Sequence, residues 1–407
     1  MPLIKPFAAL RPVAEYAADV IAPPYDVLNS AEARVLAQNK PWSFLHISKA
    51  EIDLPEDTDP YDGSVYQKAA DNLRHLVENN IVLRESKPCY YVYRLTMGKH
   101  RQTGLVAAAS VADYDVNRVR KHEFTRPAKE DDRVRQIKAL NAQTGPVLLA
   151  YRSQADMDAL LEQVTQQAPA YDLTAHDGIG HTLWVVDDEK TINAFSAGFD
   201  AMDAIYIADG HHRSAAASRV ARDLNRPADD MSRYFLSVIF PHTQMKILDY
   251  NRVVKDLNGL ECKQLIEKIT EHFNCVKESK PVSPQSAGEF GMYLEKQWYR
   301  LTINPELIPA DPVARLDVSL LGTYLLEPLL GIKDPRTDSR IDFVGGIRGL
   351  GELEKRVNSG EMVVAFSMFP TSMEDLMAVA DANKVMPPKS TWFEPKLADG
   401  LVSHVLD

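Results

Sequence analysis

Residues 205–217 read Ile-Tyr-Ile-Ala-Asp-Gly-His-His-Arg-Ser-Ala-Ala-Ala, and this stretch decides the fold around it. Its first four residues form a short apolar run of the kind that makes a buried strand. The pair Asp209-Gly210 breaks that run, and the alanine-rich sequence after it favours a helix. The sequence therefore predicts a strand, a tight turn and a helix whose first residues are polar.

The polar residues of this turn lie where a helix N-terminus favours an anion. Free backbone N–H groups and the positive end of the helix dipole meet there. We interpret Asp209, His211 and His212 as candidate catalytic residues, and Asp209 is also a candidate Mg²⁺ ligand. Candidate phosphate-binding residues are Gly210, Arg213 and Ser214. The structural alternative is that Asp209 caps the helix and the histidines make only local hydrogen bonds.

A second polar turn occurs near the end of the chain, where residues 385–396 read VMPPKSTWFEPK. Lys389, Ser390 and Thr391 present one ammonium and two hydroxyls in succession, the donor set that a phosphate or a carboxylate requires. The glycines of a P-loop are missing. The alternative is a proline-stiffened loop that packs Trp392 and Phe393 onto the core.

Asp26 is the candidate general base. It follows Pro23 and Pro24, and these prolines hold the carboxylate on a stiff segment just ahead of a helix predicted to open near Asn29. A stiff mounting suits a residue that must accept a proton at a fixed place. A helix cap or a turn is the alternative role.

Residues 113–143 form the most charged stretch of the chain, and its apolar residues at 134, 137 and 140 have helical spacing. Further candidate phosphate contacts in this stretch are His122, Lys129 and Arg133. A salt-bridged, solvated helix is the alternative. Arg348, beside Gly345-Gly346, is a similar candidate, although a turn at a strand end also explains those glycines.

Composition excludes several classes of protein. The 407 residues carry 46 Lys and Arg against 57 Asp and Glu, a net charge of −11, so duplex nucleic acid and acidic membrane are unfavourable partners and a small molecule fits better. The three cysteines support neither a disulfide framework nor a thiolate zinc site. Without a signal peptide or a long apolar run, the expected location is the cytoplasm.

Strands and helices alternate along the chain, which predicts a mixed α/β fold. The segment Ser43–Ser48 alternates like a strand. We place a domain boundary loosely after residue 255, where the pattern of elements restarts.

Six segments carry a resemblance to a known family: PFAALRP, APPYDV, HEFTRPAKEDDR, YIADGHHR, DFVGGIRG and MPPKSTWFEPKL. Over nearly its whole length the chain resembles the bacterial and archaeal family of unknown function numbered one thousand and fifteen. That family supplies no activity.

The Asp209–Arg213 run is also similar to the D-G-H-H-R motif of free L-serine kinases, enzymes of the ParB/sulfiredoxin-type fold that phosphorylate the amino acid with a nucleotide. Their C-terminal S-P-K-T-T-R segment is similar to Pro387–Trp392. This resemblance implies that Asp209–Arg213 border the phosphates and that Lys389–Thr391 return to the same cleft. By position, Asp26 stands where these kinases have a glutamate base.

We therefore expect a ParB-like catalytic domain with a large insertion over residues 1–255, and an α/β domain over 256–407 that closes its cleft. The expected reaction transfers a phosphoryl group from ADP or ATP, with Mg²⁺, to the hydroxyl of a small substrate, free L-serine first of all. The alternative is a non-catalytic, nucleotide-binding switch of the ParB type. The oligomeric state stays open.

Overall fold

A computed structural model describes residues 2–407, which divide into two units. The first unit contains the residues up to Met245 together with Pro395–Asp407, and the second contains Lys246–Glu394. The domain boundary expected after residue 255 thus lies inside the second unit, and the last thirteen residues belong to the first. The reason is strand pairing, since residues 250–254 are built into the sheet of the second unit and the tail pairs with the first.

The first unit is built around one large mixed sheet with smaller pairs beside it. Its strands before the second unit are β1 Ile4–Lys5, β2 Leu10–Pro12, β3 Val82–Arg84, β4 Tyr90–Met97, β5 His100–Ser110, β6 Val119–Arg120, β7 Ala142–Gln143, β8 Val147–Tyr151, β9 Tyr171–Thr174, β10 Gly180–Val186, β11 Ile205–Asp209 and β12 Tyr234–Pro241. The large sheet runs β6-β11-β8-β12-β5-β4-β10-β9, and β1 also pairs with β5.

Two pairs in this sheet are parallel, β6 with β11 and β8 with β12, while the other pairs are antiparallel. Ile205 pairs with Val119 in the first of these. The carboxyl ends of β6 and β11 therefore meet at one edge of the sheet.

The first unit also contains helices, several of which contact the large sheet. They are α1 Ala17–Val20, α2 Ser30–Ala37, α3 Leu45–Ser48, α4 Gly63–Glu78, α5 Val111–Asp115, α6 Pro127–Leu140, α7 Ala155–Val164, α8 Glu189–Asp200 and α9 His211–Leu224. Val134 and Ile137 of α6 pack against Ala216 and Val220 of α9. The helix expected from the apolar spacing in the charged stretch is thereby confirmed.

The second unit has its own six-stranded antiparallel sheet, ordered β15-β17-β16-β19-β14-β18. Its strands are β13 Ile247–Leu248, β14 Tyr250–Val254, β15 Phe273–Glu278, β16 Glu289–Leu294, β17 Gln297–Ile303, β18 Ile341–Gly345, β19 Val364–Ser367 and β20 Trp392–Phe393. Its helices are α10 Cys262–Ile269, α11 Asp317–Leu321, α12 Leu350–Asn358 and α13 Met373–Asp381. Helices on sheets in both units confirm the predicted mixed α/β fold.

The tail then returns to the first unit. Asp399 and Ala22 exchange two backbone hydrogen bonds, as do Ser403 and Leu10. The last strand, β21 His404–Val405, pairs with β7. This ladder fixes residues 399–405 against the first unit.

The strand predicted at Ser43–Ser48 is wrong, because Leu45–Ser48 forms a short helix. Phe44 and Ile47 are three residues apart and lie on one helical face, and both are fully buried. Within residues 2–407, every helix is too short or too polar to span a bilayer.

Candidate functional site

The turn between β11 and α9 has the predicted form. The strand ends at Asp209, Gly210 adopts a φ of +99°, and the helix begins at His211. Glycine is required because this conformation is unfavourable for L side chains, and because a β-carbon at Gly210 would lie 3.1 Å from Nε of Arg213. The strand, the turn and the helix are confirmed.

Asp209 does not cap the helix, because the residue at the cap is Gly210 and no side chain bonds there. Its carboxylate instead accepts from Nζ of Lys396 at 3.2 Å and lies 4.0 Å from Nη2 of Arg213. Burial opposes ionisation of Asp209, but Lys396 and Arg213 outweigh it and hold its pKa well below the usual range. Asp209 is therefore an anion whose charge is already balanced by the protein.

Arg213 lines a pocket in the first unit, with 10% of its side-chain surface exposed. One guanidinium N–H donates to the backbone carbonyl of Pro146, which uses one of its five donors. Burial lowers the pKa of Arg213, but the carboxylates of Asp26 and Asp209 outweigh this effect and raise the pKa above its usual value. The guanidinium therefore stays charged.

The pocket is a small concavity, and its volume of about 460 Å³ includes open solvent at its mouth. Polar groups from separate stretches of the chain converge on it: Tyr25, Arg133, Gln143, Thr144, Arg213 and Asp399. The combination of cations, amides and a carboxylate in a small concavity is suited to a polar, charged ligand.

Arg133 supplies the second guanidinium. Its Nε and Nη2 donate to Oδ2 of Asp132 at 2.9 and 2.7 Å, and its guanidinium stacks 3.9 Å from the centre of the Tyr25 ring. Burial lowers the pKa of Arg133, but Tyr25 and Asp132 raise it more. Arg133 thus forms an ion pair with Asp132 of its own helix and also lines the pocket. Its contact with a phosphate stays a prediction.

Asp399 is the most deeply buried charged group of the pocket, with 1% of its surface exposed. Within residues 2–407, its Oδ1 has no hydrogen-bond partner. Burial raises the pKa of Asp399 to about 7, Arg213 opposes that rise and Asp26 adds to it. An orphaned, buried carboxylate oxygen in a pocket wall marks a place where a donor is needed.

Asp26 is exposed on a turn at the start of the second helix, and it does not cap that helix. Asn29 does so in a capping box with Glu32. Among the carboxylates that raise the pKa of Arg213, Asp26 has the largest effect, ahead of Asp209.

The histidines of the turn face the loop that follows β6. His212 accepts the backbone N–H of Arg126 at 3.0 Å, and His211 accepts that of His122 at 3.4 Å. Burial lowers the pKa of each of these rings, to about 4 for His122. His211 and His122 are therefore neutral and contact each other.

A family model described as "Protein of unknown function (DUF1015)" matches residues 4–319. The chain belongs to this family. No curated protein sequence matches it.

Several solved structures match this DUF1015 chain at low TM-scores and low identities. A free serine kinase in complex with AMP has a TM-score of 0.36 at 12% identity, covering 71% of this chain and 86% of the kinase. A conserved hypothetical protein from Pyrococcus furiosus has 0.35 at 14%, covering 74% and 95%. A C-terminally truncated SbnI from Staphylococcus aureus has 0.32 at 12%, covering 73% and 86%.

Two predicted phosphate-binding residues of the DUF1015 chain, Ser214 and Lys129, bond other groups of the first unit. The hydroxyl of Ser214 bonds the carbonyl of His211 at 3.1 Å inside its own helix, where Ser214 is fully buried. Lys129 donates to the Tyr61 hydroxyl at 2.7 Å on an exposed face. Their contact with phosphate stays a prediction, without support from these bonds.

The remaining candidates belong to the second unit. Arg348 is exposed in the turn after β18. In the polar turn, the Lys389 carbonyl accepts from Arg252 at 3.0 Å, and Ser390 Oγ donates to Pro387. Phosphate contact by Arg348 and by Lys389–Thr391, and the approach of that turn to Asp209–Arg213, stay predictions.

Packing next to that polar turn agrees with the alternative role of a proline-stiffened loop that packs Trp392 and Phe393 onto the core. Phe393 is 3% exposed, and the ring of Trp392 meets the ring of Tyr250 edge to face at 5.2 Å. Both side chains thus help to anchor the turn within the second unit.

Sequence reasoning missed five residues of the site: Tyr25, Gln143, Thr144, Lys396 and Asp399. Tyr25 stood within the quoted APPYDV segment, and its position directly before the proposed base Asp26 was an available signal. Lys396 and Asp399 follow no local pattern, because only the returning tail brings them to the pocket.

Proposed function

We propose that the pocket of the first unit binds the acceptor of a phosphotransferase, which moves a phosphoryl group from a nucleoside phosphate to the hydroxyl of a small substrate. The observation that carries this proposal is that two charged guanidinium groups, Arg133 and Arg213, line one small pocket, and that Asp26, next in the chain to the lining residue Tyr25, raises the pKa of Arg213. Guanidinium pairs recognise phosphate and carboxylate oxygens, and the carboxylate supplies a base.

Phosphoryl transfer asks the protein mainly to position the reactants and to neutralise charge. Arg213 stabilises negative charge on the transferring group or on the acceptor. Asp26 accepts the hydroxyl proton, since it is exposed beside the guanidinium and its helix is capped by another residue. His212 holds the loop after β6 in place through the Arg126 N–H.

A free hydroxy amino acid, L-serine in particular, is the acceptor that suits these groups. Its carboxylate pairs with the guanidinium groups, its ammonium fills the place beside the unpartnered Oδ1 of Asp399, and its hydroxyl is left for Asp26. The similarity of the Asp209–Arg213 run to the motif of free L-serine kinases supports the same substrate.

The donor is a nucleoside di- or triphosphate, ADP or ATP, bound near the start of α9, where the helix dipole favours phosphate. Asp209 is a poor sole ligand for Mg²⁺, because Lys396 and Arg213 already balance its charge. Mg²⁺ therefore enters this proposal only as the usual companion of the nucleotide.

Phosphorus NMR tests the proposal directly. The full-length protein is mixed with ATP, ADP, CTP or pyrophosphate and with pooled amino acids and sugars, and the expected product is O-phosphoserine formed in a donor-dependent way. Arg213→Ala should weaken nucleotide or acceptor binding by about ten- to a hundredfold, whereas Arg74→Ala, on an exposed helix face, should not.

Two results would count against a kinase. No phosphorylated acceptor with any donor, combined with a nucleotide-dependent conformational change, would favour the non-catalytic switch. Unchanged affinity for nucleotide and amino acid in a folded Arg213→Ala protein would mean that the guanidinium is structural.

A further inference from the structure

Two histidines and a glutamate meet at the sheet edge where β6 and β11 end. His122 follows β6 after one residue, and His211 follows β11 after Gly210. Because the two strands are parallel, their ends bring these residues side by side, with Glu123 next to His122. One donor atom from each of the three side chains lies within 4.8 Å of the other two.

His122 has one ring nitrogen ready for a ligand. The residue is 2% exposed, and its Nδ1 has no hydrogen-bond partner among residues 2–407. The backbone of Ile207 partly offsets the fall in the pKa of His122 that burial causes, which places a backbone acceptor beside the ring. Metal-binding histidines are commonly supported by a backbone carbonyl of this kind.

His211 and Glu123 complete the group. The two imidazole rings meet edge to face with centres 4.5 Å apart, and Nδ1 of His211 lies 3.8 Å from Oε2 of Glu123. The Glu123 side chain is 55% exposed. An ion held at Nδ1 of His211 would place the ring proton on Nε2, so the long 3.4 Å contact from the His122 N–H to Nε2 would be lost and the backbone N–H would have to shift.

We propose that His122, Glu123 and His211 bind a divalent transition-metal ion, with zinc as the best match. Two imidazoles and one carboxylate form a zinc donor set that leaves a coordination position open. Magnesium prefers oxygen ligands alone and does not suit this set. Donor atoms on one zinc lie about 3.4 Å apart, so the group must close by up to about 1.4 Å from its present separation of at most 4.8 Å.

Calorimetric titration of Zn²⁺ alone into the chelator-treated, full-length protein is the test. One site per chain is expected in the wild type. His122→Ala should weaken binding by at least about a hundredfold, the upper end of what the loss of a supporting residue costs. Glu123→Gln, a change on an exposed side chain that does not endanger folding, should weaken it by at least about tenfold. His176→Ala, at an exposed histidine elsewhere, is the control.

Each other outcome overturns the site. These outcomes are no Zn²⁺ binding by the wild type, equal binding by Glu123→Gln, an equal loss in His176→Ala, or binding of Mg²⁺ in preference to Zn²⁺. The titration contains no nucleotide, so its failure leaves the phosphotransferase proposal intact, and an inactive phosphotransferase leaves the zinc result intact.

Discussion

Asp26 and Asp399 are two carboxylates with contrasting surroundings beside one guanidinium. Both raise the pKa of Arg213, but Asp26 is exposed whereas Asp399 is 1% exposed and has an unpartnered oxygen. Carboxylates in such different environments suit different tasks. We assign proton transfer to Asp26 and recognition of a positive group to Asp399.

Asp26→Asn tests the first assignment. The change keeps the size of the side chain and removes the base, so kcat of the phosphotransferase should fall about 10²–10⁴-fold while nucleotide affinity changes little. Steady-state kinetics and calorimetry measure the two effects separately. Asp19→Asn, on an exposed face of α1, is the matched control. Full turnover by Asp26→Asn would move the base elsewhere, with Glu32 and Asp209 tested next.

Asp399→Asn tests the buried, protonatable state of Asp399 through the pH dependence of stability. Burial raises the pKa of Asp399 from about 4 to about 7, so between these values the folded protein binds this proton and the unfolded chain does not. The bound proton therefore stabilises the fold, and this contribution is complete below about pH 4. It is lost as pH rises from about 4 to about 7, at up to about 1.4 kcal/mol per pH unit. The Tm of the variant minus that of the wild type should rise from pH 5 to pH 7. A pH-independent difference would contradict the buried, protonatable state.

At the scale of elements, the β11–α9 turn depends on a single glycine. Gly210→Ala should lower the free energy of unfolding by about 1–3 kcal/mol, because alanine is strained at φ +99° and its β-carbon would press on Arg213. Gly63→Ala is the control, since nothing lies within 4 Å of that position and its backbone is helical. Thermal unfolding of the two variants measures the contrast. Equal Tm values would show that the turn relaxes at no cost.

The same turn explains how far sequence reasoning reaches. An apolar run, a glycine and an alanine-rich segment are local signals, so the strand, the turn and the helix could be predicted. The apolar pattern of Ser43–Ser48 is too short to distinguish the two-residue repeat of a strand from the 3.6-residue repeat of a helix. The segment forms a helix in which Phe44 and Ile47 are buried.

At the scale of the whole molecule, the second unit interrupts the first. It contributes a separate core beneath its own sheet, with Phe290, Leu301 and Phe366 fully buried there. The sequence could not reveal that the chain returns afterwards, because the pairs Ala22–Asp399 and Leu10–Ser403 join residues hundreds of positions apart. For that reason Lys396 and Asp399 were not predicted as site residues.

Removal of residues 395–407 should lower the Tm of the first unit by several degrees. The truncated chain loses strand β21, the backbone bonds to Leu10 and Ala22, and Leu406 from the cluster of α6 and α9. Amides of Leu10 and Ala22 should exchange faster with deuterium. Removal of Asp407 alone costs one exposed ion pair with Arg84 and should change the Tm little. Equal stability of the two truncated chains would contradict the structural role of the tail.

The returning tail also delays completion of the first unit during translation. The residues up to Met245 leave the ribosome first, and the 149 residues from Lys246 to Glu394 are translated before Lys396 and Asp399 exist. At about 5–20 residues per second, that interval lasts roughly 7 to 30 s. Throughout it, the nascent chain exposes the backbone edges at Leu10, Ala22 and β7 that the tail will later cover. The nascent protein therefore passes through a period of exposure to proteases and aggregation that lasts until the tail has been synthesised and covers these edges.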